Sequence, residues 1–124
     1  MLNHDVTVFL CEGSGAVLAD GWPDLVGDAR RVTLPCGGRI DARHILAAVE
    51  SGAREVYLFA CPLDNCRSFG ATEKAERRVR RANDLLAEAG SAARCQLLRA
   101  AANAPEDLRV ALTLARSHNE EAGG

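Results

Sequence analysis

Aromatic residues are scarce in this chain, one Trp, one Tyr and three Phe in 124 residues, so a core has to be built from Val, Leu, Ile and Ala. No run of about 18 apolar residues occurs, which argues against a membrane-spanning helix. No charged-then-apolar leader is present either, so a secretory signal is not expected and a cytoplasmic location is. Charge of one sign is also lacking. The formal net charge is −2 and the pI near 5.9, which is neither a nucleic-acid footprint nor a polybasic membrane anchor. Internal repeats and linkers are absent, and a chain of this length suits one domain, expected over 1–124 with its core at about 5–118. Five cysteines, an odd count, do not suggest a disulfide framework. In a reducing compartment they read as metal-binding, catalytic or buried.

The apolar residues that are present fall into alternating strand and helix patterns. Asp5 to Cys11 is β-branched and almost continuously apolar, as expected of a strand covered on both faces. Glycines and Pro23 leave room only for a short helix around Ala16 to Asp20. Arg31 to Pro35 reads as a second strand, followed by the turn Cys36-Gly37-Gly38 and a helix capped by Asp41 and stopped at Gly52. Glu55 to Ala60 is the third strand. A long helix follows, with Thr72 as its cap, Gly90 as its end and Ala75, Val79, Ala82, Leu86 and Ala89 as its buried stripe. Arg94 to Arg99 makes a fourth strand, and Pro105 opens a last helix expected to end near Ser117 with a frayed tail. This order predicts an α/β fold, a flavodoxin-like three-layer sandwich around a four-stranded parallel sheet.

Four cysteines, Cys11, Cys36, Cys61 and Cys66, fall at or just after predicted strand ends. The first three are 25 residues apart, close to one strand-helix-strand step, so each step returns the chain to the same edge. Ligands of open α/β sheets bind at that edge. Four thiolates there form a plausible site for zinc, copper(I) or an iron-sulfur cluster. Cys95 starts its strand, belongs at the opposite edge, and reads as a buried small hydrophobe.

Pro35-Cys36-Gly37-Gly38-Arg39-Ile40-Asp41, Glu50-Ser51-Gly52-Ala53, Cys61-Pro-Leu-Asp-Asn-Cys66 and the run Ala75-Glu76-Arg77-Arg78-Val79 together resemble the FlpD or MvhD family, the iron-sulfur delta subunits of F420-non-reducing (methyl viologen-reducing) hydrogenase. The likeness covers roughly residues 5 to 115. It implies a non-catalytic subunit with one [2Fe-2S] cluster, passing electrons between a hydrogenase or formate dehydrogenase and a heterodisulfide reductase-like flavoprotein. Cys36, Cys61 and Cys66 match family cysteines, and Cys11 matches one of those clustered after the first strand. Where the family shows several cysteines in that block, this chain has Leu10 and Ser14 beside a single Cys11, which leaves the minimum of four thiols.

A rival reading uses Cys61 and Arg67, whose Cys-x5-Arg spacing resembles cysteine-dependent phosphatases and arsenate reductases, with Cys61 as nucleophile and Arg67 on the oxyanion. That family places its loop after the first strand and wants glycine where Leu63 and Asp64 stand. A third reading is a plain zinc site or a cluster-free docking module. Arg77, Arg78, Arg80 and Arg81 make a basic helix face, either solvated or docking an acidic partner, with surface pairs expected for Glu73 with Arg77 and Glu76 with Arg80. His4, His44 and His118 are scattered, and His44 reads as a surface helix residue.

Overall fold

The computed structural model describes residues 5–12, 15–34, 40–60, 71–99 and 105–123. The apolar runs become four strands, β1 (Val6–Cys11), β2 (Arg30–Leu34), β3 (Glu55–Ala60) and β4 (Arg94–Arg99), joined in one sheet of order β2-β1-β3-β4. Every pairing is parallel. Between the strands run α1 (Gly15–Gly21), α2 (Ala42–Glu50) and α3 (Ala71–Glu88), and α4 (Pro105–Gly123) follows β4. A 3-10 turn at Pro23–Leu25 leads back to β2.

Successive side chains of a strand point to opposite faces, and the core divides accordingly. Val6, Val8, Leu10, Tyr57, Phe59 and Leu98 pack with Leu18 of α1 and Leu108 and Leu112 of α4. On the other face Phe9, Leu34, Val56, Leu58 and Cys95 pack with Ile45 of α2 and with Ala75, Val79, Ala82 and Leu86 of α3. The three layers, α1 and α4, sheet, α2 and α3, are those of a flavodoxin-like sandwich. Each fully buried Leu, Ile or Phe contributes about 1.5 to 3 kcal/mol of transfer free energy.

Both helices on the second face end on glycine in the left-handed region, Gly52 at φ 108° and Gly90 at φ 78°. Each closes with a paired bond. Gly52 N–H donates to Val49 O and Ala53 N–H to Ala48 O, and Gly90 N–H donates to Ala87 O and Ser91 N–H to Leu86 O.

Four local expectations need correction. α3 starts at Ala71, which puts Thr72 inside the first turn rather than at the cap. Ala89 lies past the helix and is exposed, because the chain has already turned toward Gly90. α4 continues six residues beyond Ser117 to Gly123, since the stretch His-Asn-Glu-Glu-Ala holds neither proline nor glycine to stop it. Glu73 with Arg77 and Glu76 with Arg80 do not pair with each other. Glu73 and Arg77 are both exposed, and such long side chains gain too little in water to hold one geometry, whereas Glu76 is half-buried.

Candidate metal centre at the carboxyl edge of the sheet

β1 ends on Cys11, which is 4% exposed. Its surroundings follow from register. Cys11 stands opposite Leu34, the last residue of β2, and Leu10 stands opposite Phe59, so one further step brings Cys11 level with Ala60, the last residue of β3. Three strands thus end together, β1 in the middle and its neighbours about 4.8 Å to either side. Cys36 follows β2 by two residues and Cys61 follows β3 by one. Cys36, Cys61, Cys66 and Arg67 themselves lie outside the described residues. Between β1 and β3 the strand order reverses, the switch point at which open α/β sheets take their ligands.

Alternation along β1 also fixes which way the thiol faces. Val6, Val8 and Leu10 belong to the α1 and α4 core and Phe9 to the other, so Cys11, two residues beyond Phe9, faces the α2 and α3 layer. Both helices of that layer start at the carboxyl edge, after β2 and β3, and their N-termini carry partial positive charge that favours anionic thiolates nearby.

α2 has a reciprocal cap. The Asp41 carboxylate accepts from Arg43 N–H at 2.9 Å, and His44 Nδ1 accepts from Asp41 N–H at 2.9 Å. The Arg43 amide holds the Asp41 carboxyl below the ordinary carboxylate range. The His44 ring tilts against Phe9 with centroids 6.1 Å apart, so this exposed histidine serves the helix start and covers the end of the core.

Cys95 sits where its strand position placed it. It pairs in register with Val56, four residues short of the end of β3 and about 13 Å from the carboxyl edge. Burial pushes its thiol up to about 12, so it stays protonated and packs as a hydrophobe. Its backbone is held by Asn83 of α3. Asn83 Nδ2 donates to Cys95 O at 2.9 Å, and Cys95 N–H donates to Asn83 Oδ1 at 2.8 Å.

Sequence reasoning placed Arg78 on the basic helix face but missed its bond to Ile40 O, to which Nη1 donates at 2.9 Å, tying α3 to the segment entering α2. The two residues are 38 apart, and no local pattern signals such a bond. An open cleft of about 420 Å³, lined by Asp5, Thr7, Arg30, Ser51 and Arg54 among others, lies at the amino edge and contains no cysteine. Among the described residues no group of three or more His, Cys, Asp or Glu could hold a metal ion. Cys11 alone offers one soft donor, and a zinc ion or cluster here needs the thiols that follow β2 and β3.

Over residues 6–119 the chain matches the family described as methyl-viologen-reducing hydrogenase, delta subunit. It is 35% identical over 89 residues to the vhu iron-sulfur subunit of the F420-non-reducing hydrogenase of Methanopyrus kandleri, an alignment covering 68% of this chain and 67% of that protein. The family match takes in all four strands and all five cysteines, and on this ground the chain belongs to the delta-subunit family of methyl-viologen-reducing hydrogenases.

Proposed function

We propose that the chain is a non-catalytic electron-transfer subunit in which residues 1–124 form one domain and Cys11, Cys36, Cys61 and Cys66 ligate one [2Fe-2S] cluster. The observation that carries this reading is the seat of Cys11. Its thiol is buried at the end of the strand that runs between the two whose ends lead into Cys36 and Cys61. Membership of a hydrogenase subunit family and a relative named as an iron-sulfur subunit support the same reading. When bound, such a cluster supplies one reversible electron. Cys11 is buried, and the two helices of the layer it faces start at its edge of the sheet, where their partial positive charge favours a thiolate. The proposed route runs between a hydrogenase or formate dehydrogenase and a heterodisulfide reductase-like flavoprotein, in the cytoplasm.

Anaerobic purification with iron and acid-labile sulfide analysis tests the assignment. The expected content is about two iron and two sulfide per chain, with an EPR signal after dithionite reduction. Cys11→Ser, Cys36→Ser and Cys66→Ser should each lose or alter the cluster, while Cys95→Ser keeps its spectrum. A protein still free of iron after anaerobic reconstitution overturns the reading, and zinc analysis and a phosphatase assay on Cys61 then decide between its rivals.

A further inference from the structure

The first half of α3 has more charge than its fold explains. Residues 74–81 contain five cations, Lys74, Arg77, Arg78, Arg80 and Arg81, against one acid, Glu76. All five are exposed; Lys74, Arg77, Arg80 and Arg81 lie away from Ala75, Val79 and Ala82, and Arg78 flanks that buried stripe. Arg78 is engaged with Ile40 O, but Lys74, Arg77, Arg80 and Arg81 form no ion pair with any described residue. Glu73 stands in the first turn, but Asp84 and Glu88 follow the cations, and the last turn of the helix has no basic residue. That order runs against the macrodipole, which favours acids at the start of a helix and bases at its end. Helix stability therefore does not account for the α3 stripe.

We propose that Lys74, Arg77, Arg80 and Arg81 form the docking surface for an acidic face of the protein that exchanges electrons with this chain. The proposal rests on the electron-transfer reading for the partner's role. Three observations locate and characterise the surface. α3 covers the sheet face toward which Cys11 points. Arg78 fastens the same half of the helix to the segment entering α2, so the stripe is held beside the carboxyl edge. The cations stand next to Glu73, Glu76 and Asp84 on a chain of net charge −2, with no aromatic residue in α3 on which a base could stack, and this favours a protein carboxylate surface over nucleic acid.

Lys74 is the only lysine in the chain, so zero-length carbodiimide coupling reports on the stripe almost site-specifically. In the native hydrogenase assembly containing this chain, at low ionic strength, mass spectrometry should find Lys74 joined to an Asp or Glu of another subunit. The double variant Arg77→Glu/Arg81→Glu should co-purify with that subunit roughly tenfold less at low salt, with unchanged far-UV circular dichroism and cluster absorbance. Absence of a Lys74 link to another subunit, or full association of the double variant, overturns the proposal. So does binding of a fluorescein-labelled single-stranded RNA that disappears in the double variant while Lys74 stays unlinked. An iron-free chain whose Lys74 is linked refutes the electron-transfer reading and leaves the docking surface standing, whereas a cluster-bearing chain with Lys74 unlinked does the reverse.

Discussion

Asn83 replaces a missing strand. β4 is an edge strand, and the backbone N–H and C=O of Cys95 point away from β3 into the space that a fifth strand would occupy. The Asn83 amide fills both roles, as acceptor at 2.8 Å and donor at 2.9 Å. Asn83→Ala removes two hydrogen bonds worth about 1 kcal/mol each and leaves two partly buried backbone groups under-satisfied, a total cost of about 2 to 3 kcal/mol. With an unfolding entropy of roughly 2.1 cal/mol/K per residue, 124 residues give about 0.26 kcal/mol/K, so the cost corresponds to a fall in Tm of roughly 10 °C. Asn83→Asp should also destabilise, since it keeps the acceptor but sets a carboxylate against the Cys95 carbonyl. Thermal melts followed by circular dichroism, with urea midpoints in parallel, measure both. A fall below roughly 2 °C for Asn83→Ala, less than one such bond is worth, refutes the claim that the clamp holds the edge.

Iodoacetamide at mildly alkaline pH should leave Cys95 unmodified in the folded protein and label it in urea, because the thiol is buried and held protonated. Labelling at the same rate in both conditions would contradict its place in the core. The carboxyls of Asp24 and Asp41 lie below the ordinary carboxylate range, Asp24 through its hydrogen bond from Arg109 and Asp41 through the Arg43 amide. The unfolded chain binds these protons more readily, so their stabilisation is complete above about pH 4 and is lost as pH falls through the lower folded values. The urea midpoint should therefore drop below about pH 4, and drop less in Asp24→Asn and Asp41→Asn, whereas equal acid sensitivity in all three proteins would refute the assignment.

Features encoded within a few residues were legible in the sequence. The capping carboxylate of Asp41, the stops at Gly52 and Gly90, the covered strands and the buried side of α3 all depend on neighbours one to four positions away. Strand order is another matter. Cysteines at 25-residue spacing say that the chain returns to one edge, but nothing in that spacing states that β1 runs between β2 and β3. That depends on which way each crossover turns over the sheet. The bonds of Asn83 to Cys95 and of Arg78 to Ile40 were equally invisible, because an exposed-looking polar residue in a helix gives no sign of which distant backbone it will meet. The missing Glu73–Arg77 pair erred the other way. Its spacing permits contact, and competition with water decides against it. Of the candidate site, the seat of Cys11 and the far position of Cys95 agree with the sequence reading.

The sheet order also imposes a sequence of events on a growing chain. β1 is made first, yet one of its two neighbours, β3, begins 49 residues later, Val6 pairing with Glu55. Until that strand emerges, Cys11 is walled by a neighbouring strand on the β2 side only. Pairing over such a separation is non-local, and non-local strand pairing is slower than the local contacts that form α2 or α3. A ribosome-bound chain long enough to expose β2 but not β3 therefore holds its first thiol shielded on one side only, and any ligand that needs the completed edge has to wait until the third strand has joined.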